Sequence, residues 1–458
     1  MSKLLSDEWL QSMLPRTRPG RSKSGMPVAP GLPLVGSLPN VAAQQLDFFS
    51  QACEQCGDIF EVDFGLTKVV ILASPELSAE ILLERPKHFE KGGEFWAGIR
   101  EMIGNGLPVS EGDHWRRQRR LMNPEFRRSK IAGFAEIIAK GVDEGLEELE
   151  APAARAELIP ISKWTASLLS RLTVRVLFGG DFDTKRIDSI RFALSSMLDR
   201  IMSGVVVRKL PDWVPVPGAE GFAEARKVID DLVYEVIAER RRNPRESNDL
   251  LSLLLSATDE QGTMSDEELR DEVITTYLAG YETTAWTLAW GLWLLADHPQ
   301  VVRELQAEVD STEDPMKCPL LGATINEVMR LYPSAPLLPR RALVDEQLGG
   351  YPIPAGTTVV FSPWVVHRNP RIWPDPQRFD PHRHLGEQPE RHRLALMPFG
   401  AGQRICIGKG LALLEAHYTL AKLLRKFTPR PSGGPPARPR LSTTLRSRDE
   451  IEIYLSQR

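Results

Sequence analysis

The stretch FGAGQRICIG, residues 399–408, sets one of the chain's four cysteines in a loop with three glycines and an arginine. A free cysteine ordinarily packs as a small buried hydrophobe. Here Gly400 and Gly402 let the backbone turn sharply and lie close to something flat. From Ile407 onward, IGKGLALLEAHYTLAKLLRKF carries the apolar face of a helix. Cys406 therefore falls near a helix N-terminus, where unpaired N–H groups and the helix dipole favour a thiolate. Gly408 keeps the first turn clear of side chains, and Arg404 adds a cation on the same surface. The combination suits an anionic sulfur that holds a metal beside a planar, anionic cofactor.

This loop resembles the cysteine signature of the cytochrome P450 family at Phe399, Gly400, Gly402, Arg404, Cys406 and Gly408. In that family the cysteine ligates haem iron as a thiolate. The resemblance thus implies Cys406 as the metal ligand, with Phe399 and Arg404 as haem contacts. Glu327 and Arg330 in NEVMR lie at i, i+3 on one helix face and resemble the family's ExxR pair, 76 residues ahead of the cysteine. WPDPQRFDP (373–381) resembles the meander that follows, with Gln377 where a glutamate is common. Arg378 is expected there as the third member of a Glu-Arg-Arg cluster that locks the cysteine loop.

Haem brings two propionates, which are costly to bury unless paired. HWRRQRR (114–120) resembles the WxxxR helix, which implies Trp115 and Arg119 as propionate donors and His114 as a third; Arg341 in PRRAL is a further candidate. Arg340, Arg116, Arg117 and Arg120 are read as solvated charges, some of them on a face that receives an acidic electron donor. AGYETT (279–284) resembles the oxygen-activation segment. Glu282 and Thr283 would be its acid–alcohol pair, relaying protons, with Ala279 and Gly280 leaving space over the iron.

One helix can be placed from the residues alone. Ser265 and Glu268 form a capping-box signature, and the pattern runs to Asp297, where His298-Pro299 ends it. That span is about 50 Å, enough to cross a domain. Residues 76–335 are mostly helical in pattern, EVDFGLTKVVILAS (61–74) reads as strands about a tight turn, and short strands recur after residue 336 and at the C-terminus. Helical and strand-rich parts are interleaved at both ends, with no repeat or linker. The expected fold is mainly α with small β-sheets, the cytochrome P450 fold: a mobile, partly amphipathic leader over 1–26 and one catalytic domain over 27–458. Haem would lie between the long central helix and the cysteine-loop helix.

Over 458 residues, 57 basic and 61 acidic residues leave a net charge of −4, which offers nucleic acid no footprint. No run approaches the roughly 20 apolar residues of a membrane span, although the leader could rest on a membrane surface. Few cysteines suit a reducing cytoplasm. CEQC (53–56) has no second pair at zinc-site distance and reads as thiols on a packed helix. HRH (382–384) reads as solvated loop histidines, and the tryptophans of AWTLAWGLW as helix packing.

Family architecture would place GEFWAGIREMIGNGLPV (93–109), with Phe95, Trp96 and Ile99, over the haem, and SSMLDRIMSGVVVRKL (195–210) as a roof. Leu278, Ala279, Ala335 and Leu337 would line the remaining walls. The apolar character implies a lipophilic substrate such as a terpenoid, fatty acid or polyketide. With 52 residues after Cys406, no flavin or iron–sulfur module is expected. The resemblance then implies a monomeric haem b monooxygenase that uses O2 and NAD(P)H-derived electrons, delivered by a ferredoxin or flavodoxin with its reductase. Two rivals are a haem-thiolate peroxygenase or isomerase needing no electron donor, and a non-catalytic haem gas sensor.

Overall fold

The structure is a computed structural model that describes residues 18–65, 67–179, 187, 189–195, 197–198, 219–243, 249–387 and 390–458. The expected roof over 195–210 and the leader as far as residue 17 lie largely outside these residues. β-Branched runs near each end of the sequence meet in one sheet, with strand order Gly20–Arg21, Pro27–Val28, Ile59–Asp63, Lys68–Leu72, Thr358–Phe361, Leu338–Ala342 and Phe89–Glu90. Lys68–Leu72 pairs in parallel with Thr358–Phe361, Val70 opposite Val359. Segments almost 290 residues apart thus share one layer, and no boundary divides the chain there. Gly20–Arg21 already belongs to this sheet through its pairing with Pro27–Val28, so the folded body begins before residue 27. The reversal at Ser22–Met26 is made by Gly25 at φ +80°.

The remaining mass is helical. The central helix runs Asp266–Ala296, 31 residues, or about 47 Å. The expected capping box is present: Ser265 Oγ accepts from Glu268 N at 3.1 Å, and Glu268 Oε2 accepts from Ser265 N at 2.8 Å. The central helix packs along helix Ile161–Phe178, and glycine makes the approach close: a Cβ at Gly280 would meet Thr173 Cγ2 at 3.2 Å. Near the other end of the central helix, Trp290 is fully buried and stacks on Tyr332 with centroids 4.2 Å apart, so these tryptophans are packing residues. Beneath lies the helix that follows the cysteine, Lys409–Lys426, set against helices Ala135–Ala154, Pro299–Asp310 and Pro319–Leu331. The largest apolar cluster joins these helices, while two smaller ones flank the sheet.

CEQC ends helix Asp47–Cys56, where burial and then Asp58 push the Cys53 thiol up to about 11. An inert thiol fits a packing role. Among the described residues no cluster of His, Cys, Asp and Glu could hold a metal ion, and no helix is long and apolar enough to cross a membrane. Ser265→Ala should lower the unfolding free energy by about 1 kcal/mol, a difference that denaturant titration of both proteins would read.

Candidate active site

The loop that carries Cys406 is built by contacts it cannot make alone. Gly402 sits at φ +68°, and a Cβ there would lie 2.1 Å from Leu82 O. Glycine therefore supplies both the left-handed backbone and the clearance. Cys406 N donates to Phe399 O at 3.0 Å, closing the loop on itself. Cys406 lines a cavity of about 310 Å³ that is also lined by the central helix at Ala279, Gly280, Thr283, Thr284 and Thr287. Burial raises the thiol pKa, while the N–H groups of Gly408 and Lys409 and the charges of Arg119 and Lys91 act to lower it.

Cations crowd one side of this cavity. Arg119, Arg340, Arg404 and Lys91 all line it, together with Trp115 and Phe399. Arg404 lies 3.8 Å over the Trp115 ring, donates to Ser110 O at 2.9 Å and pairs with Glu111. Burial, followed by Arg404, brings Arg340 down to about 10. Burial followed by Arg340 and Arg404 holds Lys91 well below the usual lysine range. Burial pushes two carboxyls on the same lining, Glu272 and Glu415, each up to about 8. What remains is a cluster of guanidiniums on the lining, Arg119, Arg340 and Arg404, with Glu111 paired to Arg404. An anionic ligand would offset the cost of burying them.

Several expected positions move. Arg341 is exposed and bonds Glu90 through Nε at 2.8 Å; Arg340, one residue earlier, takes the cavity. Leu338–Ala342 is a strand, so neighbours alternate in face, and buried Ala342 marks Arg340 as the inward residue. His114 lies 3.9 Å from Glu268 and is not among the residues that line the cavity. Trp96 is 5% exposed and gives its indole N–H to Pro339 O at 3.0 Å. Leu278 is likewise buried in the main apolar cluster, and Ile99 packs against that cluster. Ala279 and Ala335 do line the cavity. Phe95 and Leu337 line a second, outer cavity of about 950 Å³ between the sheet and the C-terminal hairpin.

The cluster beneath the cysteine loop also changes membership. Glu327 and Arg330 are both fully buried on helix Pro319–Leu331, with Arg330 Nε–Glu327 at 2.7 Å and Nη2–Glu327 at 2.8 Å. The third arginine is Arg383, whose Nε donates to Glu327 Oε1 at 3.0 Å. Arg378 contributes its backbone carbonyl to Arg330, not its guanidinium. His384 adds Nε2 at 2.8 Å from Glu327 Oε2. HRH is therefore only partly a solvated loop: His382 is half-exposed, whereas Arg383 and His384 are buried on Glu327. The sequence offered no local signal for this, since only the approach of the loop to Glu327 selects among the nearby cations. The cluster reaches the cysteine loop through His367. Its carbonyl accepts from Arg330 Nη1 at 2.8 Å, and its Nε2 accepts from Met397 N at 3.0 Å.

On the central helix, Thr283 Oγ1 donates to Ala279 O at 2.8 Å, and Thr287 Oγ1 donates to Thr283 O at 2.9 Å. Hydroxyls that bond their own helix in this way loosen its backbone ladder. Thr283 is on the cavity; Glu282 is not. The Glu282 carboxylate is buried and accepts from Arg446 Nε at 2.8 Å, Thr444 Oγ1 at 3.0 Å and Trp286 Nε1 at 3.2 Å.

A cysteine sulfur at a helix N-terminus, a cavity lined by surplus cations and a threonine-rich wall opposite define a site for an anionic metallated macrocycle. Comparison with known proteins agrees, and the chain belongs to the cytochrome P450 family: the family's description, Cytochrome P450, matches residues 26–453. The chain is 36% identical over 419 residues to cyclooctat-9-en-7-ol 5-monooxygenase of Streptomyces melanosporofaciens, spanning 89% of this chain and 90% of that protein. It is 31% identical to pentalenene oxygenase of Streptomyces avermitilis, over 87% of this chain and 90% of that protein. The solved haem domain of cytochrome P450DA superposes with a TM-score of 0.85 at 26% identity, covering 94% of this chain and 98% of that one. The protein is a haem-dependent monooxygenase, an oxidoreductase that uses O2. The residues present fit the group: the sulfur faces the cavity, and the cation surplus matches two propionates.

Two tests follow from the cluster. Arg383→Leu leaves a buried carboxylate short of a partner and should cost about 3 kcal/mol, with loss of bound pigment, while Arg378→Ala should behave like the parent. His367 is held neutral, its pKa lowered to about 3 by burial and then by Arg368. A depressed folded value means its contribution is intact above 6.5 and is lost as pH falls towards 3. Glu327, brought down to about 2, adds a second loss below 4.5. Stability should therefore fall in two stages on acidification, and His367→Gln, which does not titrate, should remove the upper stage in a pH series of unfolding midpoints.

Proposed function

We propose that the chain hydroxylates a neutral lipophile of the terpenoid class, with haem b held through Cys406. Bound haem supplies the redox chemistry that activates O2. The protein's part is positional. Arg119, Arg340, Arg404, Lys91 and the Trp115 N–H would take the propionates, while Phe399 and the glycine loop would pack against the ring. Thr283 would hold a water and pass its proton towards the centre of the cavity, receiving another from Glu282 or solvent. The Glu327 cluster, acting through His367 and Met397, keeps the loop from shifting.

The observation that carries this reading is that Cys406 and Thr283, from the cysteine loop and the central helix, line one cavity together with apolar Ala335, Leu338 and Phe361. The substrate class is supported by the relatives named for cyclooctat-9-en-7-ol and pentalenene. Electrons would come from NAD(P)H through a reductase and a ferredoxin or flavodoxin, and the free thiols of Cys53, Cys56, Cys318 and Cys406 suit a reducing cytoplasm.

The reduced carbon monoxide complex of the parent should show the red-shifted Soret band of thiolate ligation, and Cys406→Ala should abolish it. Thr283→Ala should retain haem but divert most reducing equivalents to hydrogen peroxide, with fully coupled turnover in that variant counting against its role. A panel of cyclic terpenes and terpene alcohols, followed by low-to-high-spin conversion, tests the substrate class.

A further inference from the structure

The outer cavity of about 950 Å³ is bordered by two polar groups that oxygen activation does not use. Its wall includes Leu441, Ser442 and Thr443 at the tip of the C-terminal hairpin, where strand Pro439–Leu441 turns back into Leu445–Ser447. Ser442 is 5% exposed, and the Ser442 and Thr443 hydroxyl oxygens are both buried without a partner among the described residues. The tip is held in place around them. Leu441 N donates to Gln45 Oε1 at 3.0 Å, Thr444 Oγ1 to Glu282 at 3.0 Å, and Leu445 N to Ser334 O at 2.9 Å. Phe95, Leu337 and Pro339 give the same lining an apolar character. Two of its cations are already paired, Lys68 with Glu61 at 2.8 Å and Arg341 with Glu90 at 2.8 Å. A buried hydroxyl that bonds nothing is destabilising, and two in sequence on a fixed turn call for a partner from the cavity.

We propose that Ser442 and Thr443 read a hydroxyl group on the substrate, so that the chain selects a lipophile that is already an alcohol. The inference rests on the reading of the chain as a terpenoid hydroxylase and narrows the substrate of that same site. An alcohol both donates and accepts, as serine and threonine do, so two adjacent hydroxyls can give it one bond of each kind. A carbonyl oxygen only accepts, and a carboxylate would meet Glu61 and Glu94 on the same lining. A pure hydrocarbon would leave both hydroxyls unpaired, and a site built to bond a hydroxyl rejects the analogue that lacks one. Only Pro336 separates Ala335, on the inner cavity, from Leu337, on the outer one, so a ligand anchored at the tip stands where the two meet. The reaction that supplies such a substrate has already fixed an oxygen on the carbon skeleton: a cyclisation whose carbocation takes up water and sheds a proton, or an earlier monooxygenation.

The test titrates the full haem-loaded chain, by calorimetry, with two pairs of probes that share a skeleton and differ by one hydroxyl: p-menthane and menthol, cedrane and cedrol. The quantity read is the ratio of the hydrocarbon's Kd to the alcohol's. In at least one pair this ratio should be about tenfold larger in the parent than in the Ser442→Ala/Thr443→Val double variant, as two neutral hydrogen bonds imply. Each single variant should give about a threefold loss, and the hydrocarbon's own Kd should stay within about twofold throughout. A merely structural role for the two residues would weaken alcohol and hydrocarbon together. Should the double variant fail to load haem, the single variants decide. A ratio that is the same in parent and variants for both pairs, whether because the alcohol bonds the iron, because water alone meets the hydroxyls or because neither probe binds, overturns the proposal. A parent without the thiolate carbon monoxide spectrum would instead overturn the monooxygenase reading itself.

Discussion

A single carboxylate with no access to water organises the lower half of this protein. Glu327 is enclosed by Arg330, Arg383, His384 and the Asp380 amide, which donates to Glu327 Oε1 at 3.0 Å. A buried carboxylate without those donors would cost several kcal/mol, so the helix, the meander and the loop that follows must meet in one arrangement or not at all. The constraint continues upward, because Arg330 also holds the carbonyls of His367 and Pro376, and the neutral imidazole of His367 holds Met397. The cysteine loop begins two residues later. Its position is thereby tied to a pair of charges that never touch the cavity.

Above that anchor the site is shaped by an imbalance. Lys91, Arg119, Arg340 and Arg404 come from four different segments and converge on one side of the cavity, where Glu111 meets only part of their charge. Natural folds tolerate such a surplus where a ligand completes it. The opposite wall is threonine-rich and tied to its own helix, while the rest of the lining is largely apolar.

The two cavities divide the work differently from a simple pocket. Ala279 and Ala335 belong to the inner one, whereas Phe95 and Leu337 belong to the outer one, and the C-terminal hairpin borders the latter while gripping Glu282.

Much of the site was legible before any coordinates. Local rules sufficed for the capping box at Ser265, the helix after Cys406 and the glycine loop, because cap chemistry, apolar period and backbone permissiveness act over a few residues. Resemblance to the family's motifs brought out Cys406, Trp115, Arg119, Arg404, Thr283 and the Glu327–Arg330 pair, and the fold sets the first five on one cavity. Where the structure departs from sequence reasoning, the cause is in each case a matter of facing or of long-range partner. Arg340 rather than Arg341 turns inward because a strand alternates sides. Glu282 leaves the cavity because one helical step rotates it by about 100° towards Arg446, 164 residues away. Arg383 rather than Arg378 completes the cluster because a loop closes on Glu327 from 56 residues away. Residue types and spacing determined which chemistry the chain could perform; burial and distant contacts, which no local pattern encodes, decided which of two adjacent side chains performs it.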